Sequence, residues 1–453
     1  MAEWLTVILA AGKGTRMKSA LPKVLHKVGG KPMVQQVMDA ATQAGASRNI
    51  VVVGFGGDEV KTAIGEQAQC VVQQEQLGTG HAVMQAQGLL AGFSGTVMVL
   101  AGDTPLLTEA LLKRLHQEHE AKGAAATVLT FIPDDAAAYG RVVRNEAGQV
   151  VKIVERKDAT EEEAAIREVN SAIYCFDCKA LLDALGKINC DNAQGEYYLT
   201  DVIGILAARG DLVWAVVADD HQDTMGINSR RQLAEAEQIM RRRKLEQLMD
   251  DGVTVMDPAS TYVDAQVQVG RDTILYPNTW LEGATVIGEN CAIGPDVRLQ
   301  NVAVGDGCTL HFLYGHDCRV GDGVIAGPYV HLRPQTKLAD KVKIGNFVEV
   351  KNSSIGQGSK IPHLSYIGDA DMGAGVNMGC GCVTVNYDGK QKHRTTIADG
   401  AFVGCNANLV APVTVGEGAY VAAGSTITKD VPAESLGVAR ARQTNIDGWT
   451  KRR

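Results

Sequence analysis

Aliphatic residues recur at every sixth position through much of the second half of the chain. A period of six fits neither the 3.6 residues of a helical turn nor the simple alternation of a half-buried strand. The pattern instead predicts short parallel strands joined by tight corners, with about three hexads completing one triangular coil and the coils stacking on one another. The aliphatic positions form four runs: Val263, Val269, Leu275, Leu281, Ile287, Ile293 and Leu299; Val320, Ala326, Leu332, Leu338, Ile344 and Val350; Ile355, Ile361 and Ile367; and Ile397, Val403, Leu409, Val415, Val421 and Ile427.

The repeat by itself predicts an architecture and not an activity. Stacked coils of this kind also serve as inert spacers or as scaffolds for trimers, so a catalytic role depends on residues that interrupt the pattern. Small residues often follow the aliphatic one, as at Gly270, Gly288 and Gly345. A side chain there would crowd a bend that the backbone takes sharply.

The first half of the chain has a different pattern, in which short apolar segments alternate with amphipathic ones. The apolar segments predict buried strands at Leu5 to Leu9, Ile50 to Val53, Val97 to Leu100 and Ala126 to Leu129. This alternation is typical of an α/β layer fold, where ligands gather beyond the carboxyl ends of the parallel strands.

A predicted helix from about Ser229 to Met249 links the two patterns. We therefore expect three parts in the chain: an α/β domain at residues 1–228, a linking helix at 229–250 and a repeat domain at 251–453.

Composition and charge narrow the functional classes. The chain has 453 residues, 45% of them hydrophobic, which is enough for at least two cores. Its net charge of −8 argues against general nucleic-acid binding, which needs a basic face. Because no long apolar run or secretion signal is present, we expect neither membrane insertion nor export. The ten cysteines show no disulfide framework, so the cytoplasm is the expected compartment.

The first predicted strand leads into a glycine-rich loop, from Ala10 to Met17, that is followed by Pro22 and Lys23. Glycines let main-chain N–H groups approach phosphate oxygens, while Arg16 and Lys23 supply charge to oppose a triphosphate. The glycine spacing is neither that of a P-loop nor that of a dinucleotide-binding fingerprint.

The loop and the Pro-Lys pair together resemble the signature of sugar-1-phosphate nucleotidyltransferases. The resemblance implies a Rossmann-like nucleotidyltransferase domain in which Arg16 and Lys23 are catalytic. Nucleotide contacts are then expected along the loop, at Leu9, Ala10, Ala11, Gly12 and Lys23.

An aspartate follows the third predicted strand, in the sequence Ala101-Gly102-Asp103. A carboxylate at a sheet edge can bind Mg²⁺ between phosphates, and Asp103 is therefore a candidate metal ligand. The alternative is that Asp103 caps the helix that begins after Pro105. Asn228 resembles the second metal ligand of the family, and one carboxylate with one amide suits an ion that keeps most of its waters.

Further segments resemble the parts of the family that bind the base and the sugar. Gln73, with Gly78 and Thr79, matches the loop that faces uracil. The segments that contain Gly140, Glu155 and Asn170 match those that hold the N-acetyl sugar, and Asn228 also contacts the nucleotide sugar by this resemblance. The residues expected to contact the base and the sugar are therefore Gln73, Gly78, Thr79, Gly140, Glu155, Asn170 and Asn228.

In the second half, polar residues interrupt the hexads. Arg333 and Lys351 fall on neighbouring coils and can hold one phosphate between them, and His363 follows on the next coil. Histidine suits the deprotonation of an amine that attacks a thioester, because its pKa lies close to working pH. The alternative is that His363 is an ordinary surface residue at a corner.

From Leu9 to Arg440 the chain is similar to the bacterial bifunctional enzymes that combine N-acetylglucosamine-1-phosphate uridylyltransferase and glucosamine-1-phosphate N-acetyltransferase activities. This resemblance implies that the repeats form a left-handed parallel β-helix and that the chain assembles as a homotrimer. It also implies the substrates glucosamine-1-phosphate, acetyl-CoA, N-acetylglucosamine-1-phosphate and UTP, with Mg²⁺ as cofactor.

The resemblance assigns roles in acetyl transfer. His363 is the base and Glu349 orients it. The sugar phosphate is expected at Arg333, Lys351, Tyr366 and Asn377, and acetyl-CoA at Cys380, Asn386, Tyr387, Cys405, Ala423 and Arg440. Two of these positions depart from the family, which has small residues where this chain has Cys380 and Cys405. The basic end of the chain, Lys451 to Arg453, is a further candidate for contacting the phosphates of CoA.

Two other functions remain open on the sequence alone. One is a single-activity sugar-1-phosphate nucleotidyltransferase whose β-helix regulates or oligomerises. The other is a non-enzymatic assembly subunit with a degenerate site.

Overall fold

The computed structural model describes residues 3–133, 135–136 and 139–452. The chain forms two compact units, an N-terminal unit at Met1–Met240 and a C-terminal unit at Arg241–Arg453. The boundary falls inside one helix, Arg230–Asp250, which coincides closely with the predicted linking helix. The domain limits at 228, 229–250 and 251 stay a prediction.

A sheet forms the centre of the N-terminal unit, in the strand order β11-β7-β10-β6-β1-β4-β5, and β8 pairs with β10 while β9 pairs with β8. Strands β6, β1, β4 and β5 are parallel to one another, and β10 is antiparallel to both of its neighbours. A small hairpin of β2 and β3 lies outside this sheet. The strands are β1 Trp4–Ala10, β2 Lys27–Val28, β3 Lys31–Pro32, β4 Asn49–Val53, β5 Gln69–Val72, β6 Thr96–Ala101, β7 Ala126–Phe131, β8 Arg141–Arg144, β9 Val150–Val154, β10 Val169–Asp177 and β11 Val213–Val217.

Helices cover both faces of this sheet. Residues of β1 alternate between two apolar clusters, with Leu5 and Val7 in one and Trp4 and Ile8 in the other, as expected for a strand buried on both sides. The four predicted strands are present, each with zero to two added residues at its ends. The helices are α1 Met33–Ala44, α2 Gly57–Ile64, α3 Thr79–Met84, α4 Gln87–Leu90, α5 Glu109–Lys122, α6 Glu161–Ala164, α7 Cys178–Leu185, α8 Thr200–Ala208 and α9 Arg230–Asp250.

The C-terminal unit is a stack of coils made of short parallel strands. Leu281 pairs in register with Val263 on one side and with Leu299 on the other, and the aliphatic residues of the hexads fill a single continuous core. Hydrogen bonds join residues 16 to 18 positions apart, which is the length of one coil. The predicted hexapeptide architecture is confirmed and is consistent with the left-handed β-helix that the resemblance implies.

The strands of the coils form two sheets. The first contains β12 Thr254–Val255, β13 Tyr262–Val263, β15 Ile274–Leu275, β16 Thr279–Glu282, β18 Ala292–Ile293, β19 Val297–Gln300, β21 Thr309–Leu310, β22 Leu313–His316, β24 Ile325–Ala326, β25 Val330–Leu332, β27 Lys343–Lys351, β29 Lys360–Gly368, β31 Asn377–Met378, β32 Val383–Val385, β34 Phe402–Val403, β35 Asn408–Val410, β37 Tyr420–Val421, β38 Thr426–Ile427 and β39 Leu436–Gly437. The second contains β14 Gln268–Val269, β17 Val286–Ile287, β20 Ala303–Val304, β23 Arg319–Val320, β26 Lys337–Leu338, β28 Ser354–Ile355, β30 Ala370–Met372, β33 Thr395–Ile397 and β36 Val413–Val415.

Gly345 shows why small residues follow the aliphatic positions. A Cβ atom at this residue would lie 1.8 Å from the carbonyl oxygen of Pro362 on the next coil, so the two coils approach each other backbone to backbone. This close approach brings β27 and β29 into register over most of their length.

Within residues 3–133, 135–136 and 139–452, no helix has the length and apolar character needed to span a bilayer.

Candidate active sites

The glycine-rich loop begins where β1 ends, at the carboxyl edge of the sheet. Gly14 has φ +59°, and a Cβ on it would lie 2.6 Å from Cβ of Lys23, so glycine lets the loop pack directly on that lysine. The residues Thr15–Met17 form a turn of 3₁₀ helix anchored by the buried side chain of Met17. Arg16 is exposed beside it. The loop therefore presents its cations at the edge where ligands of α/β folds bind.

Lys23 connects the two predicted metal ligands. Its ammonium group forms an ion pair with Asp103 and donates to Oδ1 of Asn228 at 3.1 Å. Asn228 is held close because the backbone N–H of Ile227 donates to the carbonyl of Asp103 at 2.9 Å. The Lys23 and Asp103 side chains are only 15% and 16% exposed, so water screens this pair weakly.

The alternative role of Asp103, as a helix cap, does not match the structure. Helix α5 begins at Glu109, and its cap is Thr108, whose hydroxyl accepts from the N–H of Leu111 at 3.2 Å. The Asp103 carboxylate faces Lys23 instead.

The residues present fit one Mg²⁺ ion. The oxygens of Asp103 and Asn228 converge on a single positive group, which shows that they can face one cation together. Across the part of the chain that the structure describes, no three or more histidine, cysteine or acidic residues cluster as a metal site. A divalent ion here would need water or phosphate oxygens for its remaining ligands, as Mg²⁺ prefers.

The loop predicted to read the base is fixed to the segment around Tyr197. Gly78 has φ +110°, and a Cβ there would lie 2.6 Å from the carbonyl oxygen of Tyr197. The hydroxyl of Thr79 accepts from the N–H of Leu199 at 3.0 Å. Gln73 is 3% exposed, and its Nε2 lies 3.1 Å from the carbonyl oxygen of Gly78.

The phosphate and base segments line one cleft of about 360 Å³. Of the residues predicted for the nucleotide, the following line it: Leu9, Ala10, Ala11, Gly12, Lys23, Gln73, Gly78, Thr79 and Asp103. The structure therefore brings together residues that are up to 94 positions apart in the sequence.

The predicted sugar residues lie on or next to neighbouring strands: Gly140 precedes β8, Glu155 follows β9, and Asn170 is part of β10. Gly140 packs against Glu155, because a Cβ at Gly140 would lie 3.5 Å from a carboxylate oxygen of Glu155. Burial raises the pKa of Glu155, and a hydrogen bond from Thr200 at 3.4 Å acts in the opposite direction. Asn170 uses both ends of its amide inside β10, donating to the hydroxyl of Tyr174 at 2.7 Å and accepting from the N–H of Ala172 at 3.0 Å.

In the C-terminal unit, the predicted base lies on β29 with its ring at the surface. Nδ1 of His363 is 2.7 Å from Oδ1 of Asn346, the residue directly opposite on β27. An amide oxygen only accepts, so Nδ1 carries the hydrogen and Nε2 has a free lone pair. That tautomer is the one that a general base requires.

Glu349 forms an ion pair with Arg333 and not with His363. Its carboxylate accepts from Arg333 at 2.7 Å, and both side chains are more than a third exposed. In register it lies between His331 and Tyr366, while Asn346 holds the imidazole of His363. The predicted orienting role of Glu349 stays a prediction.

Asp369 organises the polar residues near this site. It forms an ion pair with Lys351 at 3.5 Å and accepts from Asn352 and Asn386, and Asn386 also donates to the hydroxyl of Tyr366 at 3.3 Å. Burial acts to raise the pKa of Asp369, but the hydrogen bonds from the two asparagines and the charge of Lys351 hold it below its ordinary value. Asp369 thus contacts two of the residues predicted for substrate binding, Lys351 and Asn386, and reaches Tyr366 through Asn386.

Asn377 lies at the start of β31, paired with Lys360 and Phe402.

Three of the residues predicted for acetyl-CoA, Cys380, Cys405 and Ala423, lie at one corner of three successive coils. The carbonyl of Cys380 accepts from Asn406 at 2.7 Å, and that of Cys405 accepts from Gly424 at 2.8 Å. Arg440 donates to the carbonyl of Ala423 at 3.1 Å. Tyr387 is 57% exposed on the loop that interrupts the hexads. Of the basic end of the chain, Lys451 and Arg452 are exposed, whereas Arg453 lies outside the described residues.

Comparison with known proteins defines the family of the chain. A model described as a MobA-like NTP transferase domain matches residues 6–174, and one described as bacterial transferase hexapeptide (six repeats) matches residues 394–429. A protein named bifunctional protein GlmU from Geobacillus sp. (strain WCH70) is 55% identical over 452 residues, covering 100% of this chain and 98% of its own length. The chain belongs to the GlmU family. Proteins of the same name are 55% identical in Geobacillus thermodenitrificans, with 100% of this chain and 98% of that protein covered, and 54% identical in an Exiguobacterium species, with 99% and 100% covered.

Membership of the GlmU family confirms the predicted combination of a nucleotidyltransferase with a hexapeptide acyltransferase. The two rival functions, a single-activity transferase and a non-enzymatic subunit, are not supported.

Three residues that contact the candidate sites were not predicted from the sequence: His81, Asn346 and Asp369. Asn346 and Asp369 contact residues on adjacent coils, 17 or 18 positions away. The coil length was a signal that could have found Asn346, because a step of one coil back from His363 reaches it. His81 has no such signal, since its partner Gln73 precedes the helix that carries it.

Proposed function

We propose that this chain carries out two consecutive reactions, each in one of its units. In the first, glucosamine-1-phosphate is acetylated by acetyl-CoA. In the second, UMP is transferred from UTP to N-acetylglucosamine-1-phosphate and pyrophosphate is released. The observation that carries this proposal is identity above 50% over the whole chain to proteins named bifunctional GlmU, and the family membership confirms the predicted role in UDP-N-acetylglucosamine synthesis.

In acetyl transfer, Nε2 of His363 takes a proton from the amine as the nitrogen attacks the thioester carbonyl. A C–N bond forms, the C–S bond breaks, and CoA leaves as the thiol after protonation. Asn346 keeps the imidazole in the required tautomer. Arg333, Lys351, Tyr366 and Asn377 hold the sugar phosphate, and Asp369 keeps Lys351 in place.

Acetyl-CoA is expected along the corner formed by Cys380, Cys405 and Ala423. Backbone groups at such a corner do not depend on side-chain identity, so the two cysteines are compatible with binding the pantetheine arm. Asn386, Tyr387 and Arg440 are the other proposed contacts.

In uridylyl transfer, a phosphate oxygen of the sugar attacks the α-phosphorus of UTP in line with the departing pyrophosphate. Lys23 and Arg16 oppose the negative charge that develops on the phosphates. Asp103 and Asn228 would hold Mg²⁺, which when bound neutralises phosphate charge. Gln73, Gly78 and Thr79 contact the base, and Gly140, Glu155 and Asn170 contact the sugar.

Assembly and compartment are further parts of the proposal. The hexapeptide repeats are compatible with a homotrimer, and the exposed position of His363 leaves room for a neighbouring chain. The ten cysteines are unpaired, which suits a reducing compartment such as the cytoplasm.

The direct test is incubation of the purified chain with glucosamine-1-phosphate, acetyl-CoA, UTP and Mg²⁺, followed by mass analysis of the products. We expect CoA thiol, pyrophosphate and UDP-N-acetylglucosamine. Formation of only one of the two transfer products would refute the bifunctional assignment.

A further inference from the structure

The side chain of His81 lies beside the residue that is proposed to read the base. His81 is part of α3, and its Nδ1 is 3.1 Å from Nε2 of Gln73. The ring also faces Tyr197, with 6.3 Å between ring centroids, and Tyr197 belongs to the segment that fixes the base loop. His81 therefore contacts the Gln73 amide from a position set by both the helix and the loop.

The orientation of the Gln73 amide follows from its acceptors. Its nitrogen lies 3.1 Å from the carbonyl oxygen of Gly78, which can only accept, so the –NH₂ group must be on that side. The second hydrogen of the same –NH₂ group points to Nδ1 of His81. With both hydrogens in use, the oxygen of Gln73 is the part left for a ligand in the cleft.

Both ring nitrogens of His81 lie near amide nitrogens, and this arrangement decides which of them accepts a hydrogen bond. Nε2 of His81 is 3.1 Å from Nε2 of Gln85, and a neutral imidazole can accept at one nitrogen only. Because Gln73 is only 3% exposed, solvent cannot readily replace a hydrogen bond that is lost there, whereas Gln85 is partly exposed and can bond to solvent instead. The hydrogen bond from the Gln85 amide to the ring is therefore the one that is not formed, and Nδ1 of His81 accepts from Gln73.

We propose that His81 is a positioning residue that holds the Gln73 amide with its oxygen toward the nucleotide, so that the site selects uracil over cytosine. Uracil presents an N–H at position 3, which an amide oxygen accepts. Cytosine presents an unprotonated nitrogen at that place, and the buried oxygen of Gln73 would then face a lone pair. This proposal rests on the proposed uridylyltransferase function.

The test compares kcat/KM for UTP and for CTP, with N-acetylglucosamine-1-phosphate and Mg²⁺, in the full-length chain and its variants. In His81→Ala the ratio of UTP to CTP efficiency should fall at least about fivefold, because one of the two bonds that orient the amide is lost. His81→Asn should keep the ratio within about twofold of the unmodified chain, because its side-chain oxygen can stand where Nδ1 stood and accept from Gln73.

Gln85→Ala is the matched control, since it removes the other partner of the ring, and it should leave the ratio unchanged. Helical circular dichroism of each sample verifies that the variant is folded, because α1 to α8 belong to the N-terminal unit that carries these substitutions. If His81→Ala is too slow for turnover, equilibrium binding of UTP and CTP replaces it. An equal loss for both nucleotides, an unchanged ratio, or failure of His81→Asn to restore selection would overturn the proposal. Absence of pyrophosphate release in the unmodified chain would instead refute the proposed function.

Discussion

In the N-terminal unit the candidate site lies in a cleft formed by loops that follow strands, whereas in the C-terminal unit it lies on the outward faces of stacked coils. The Lys23–Asp103 pair is about 15% exposed, but Arg333 and Glu349 are each more than a third exposed, and His363 is at the surface. A sheet edge can shelter charges within one chain. A coil shelters charges at its corners, as it does for the Lys351–Asp369 pair at 18% and 6% exposure, but groups on its flat faces are covered only by a neighbouring molecule. The exposed groups on those faces give a physical reason for the proposed trimer.

The largest expected effect is a selective loss of acetyl transfer, which would show that the two sites work separately. Replacing His363 with alanine should lower acetyl transfer by about 10²–10⁴-fold, because the general base is lost. Uridylyl transfer should be unaffected. Both rates are measured on one sample, as CoA thiol released from acetyl-CoA and pyrophosphate released from UTP. Unchanged acetylation would reject His363 as the base.

The reciprocal change is Asp103→Ala. We expect uridylyl transfer to fall by about 10²–10³-fold, because the carboxylate that would hold Mg²⁺ at the phosphates is removed. Acetyl transfer should be unchanged. Chelation of divalent cations should have the same selective effect. If pyrophosphate release survived the substitution, Asp103 would not be the metal anchor.

The units should also differ in their response to acid. Burial lowers the pKa of His119, in α5, to about 4 from its ordinary 6.5. Between these two pKa values the unfolded chain binds a proton at His119 and the folded unit does not. The contribution of His119 to the free energy of unfolding is therefore fully present above pH 6.5 and is lost as the pH drops toward 4. The loss approaches about 3 kcal/mol.

Helical circular dichroism monitors this loss, because α1 to α8 all belong to the N-terminal unit. His119→Gln should reduce the dependence of the unfolding midpoint on pH between 6.5 and 4, and the part that remains is expected from His26 and His116, whose pKa values burial also lowers. His221→Gln, at a half-exposed histidine of the same unit, is the control and should leave the dependence intact. An identical slope in both variants would contradict the assignment to His119.

The smallest expected effect concerns the bond that holds the catalytic imidazole. Asn346→Ala should reduce kcat for acetylation by about 5–10-fold, the value of one hydrogen bond, with little change in KM for glucosamine-1-phosphate. Asn346→Asp keeps an acceptor and should be closer to the unmodified chain. A larger change in KM than in kcat would indicate that Asn346 binds substrate instead.

The sequence was most informative where a pattern repeats or a motif is continuous. The hexads predicted the coils, and the loop from Ala10 to Met17 predicted the cleft at the end of β1. Contacts between coils were less accessible, because Asn346 reaches His363 only through stacking and carries no motif of its own. The Lys23 bridge between Asp103 and Asn228 also depends on folding, since 80 and 205 positions separate the partners.

One consequence concerns how such a spiral can change in evolution. The loop around Tyr387 adds residues at a corner, so Asp371 still pairs with Thr396 and later coils keep their phase. Loss of a single residue inside β27 would instead turn the following side chains from the interior to solvent until a corner absorbed the error. New segments can therefore be grafted onto corners with little penalty, while the straight edges tolerate substitution but not changes in length.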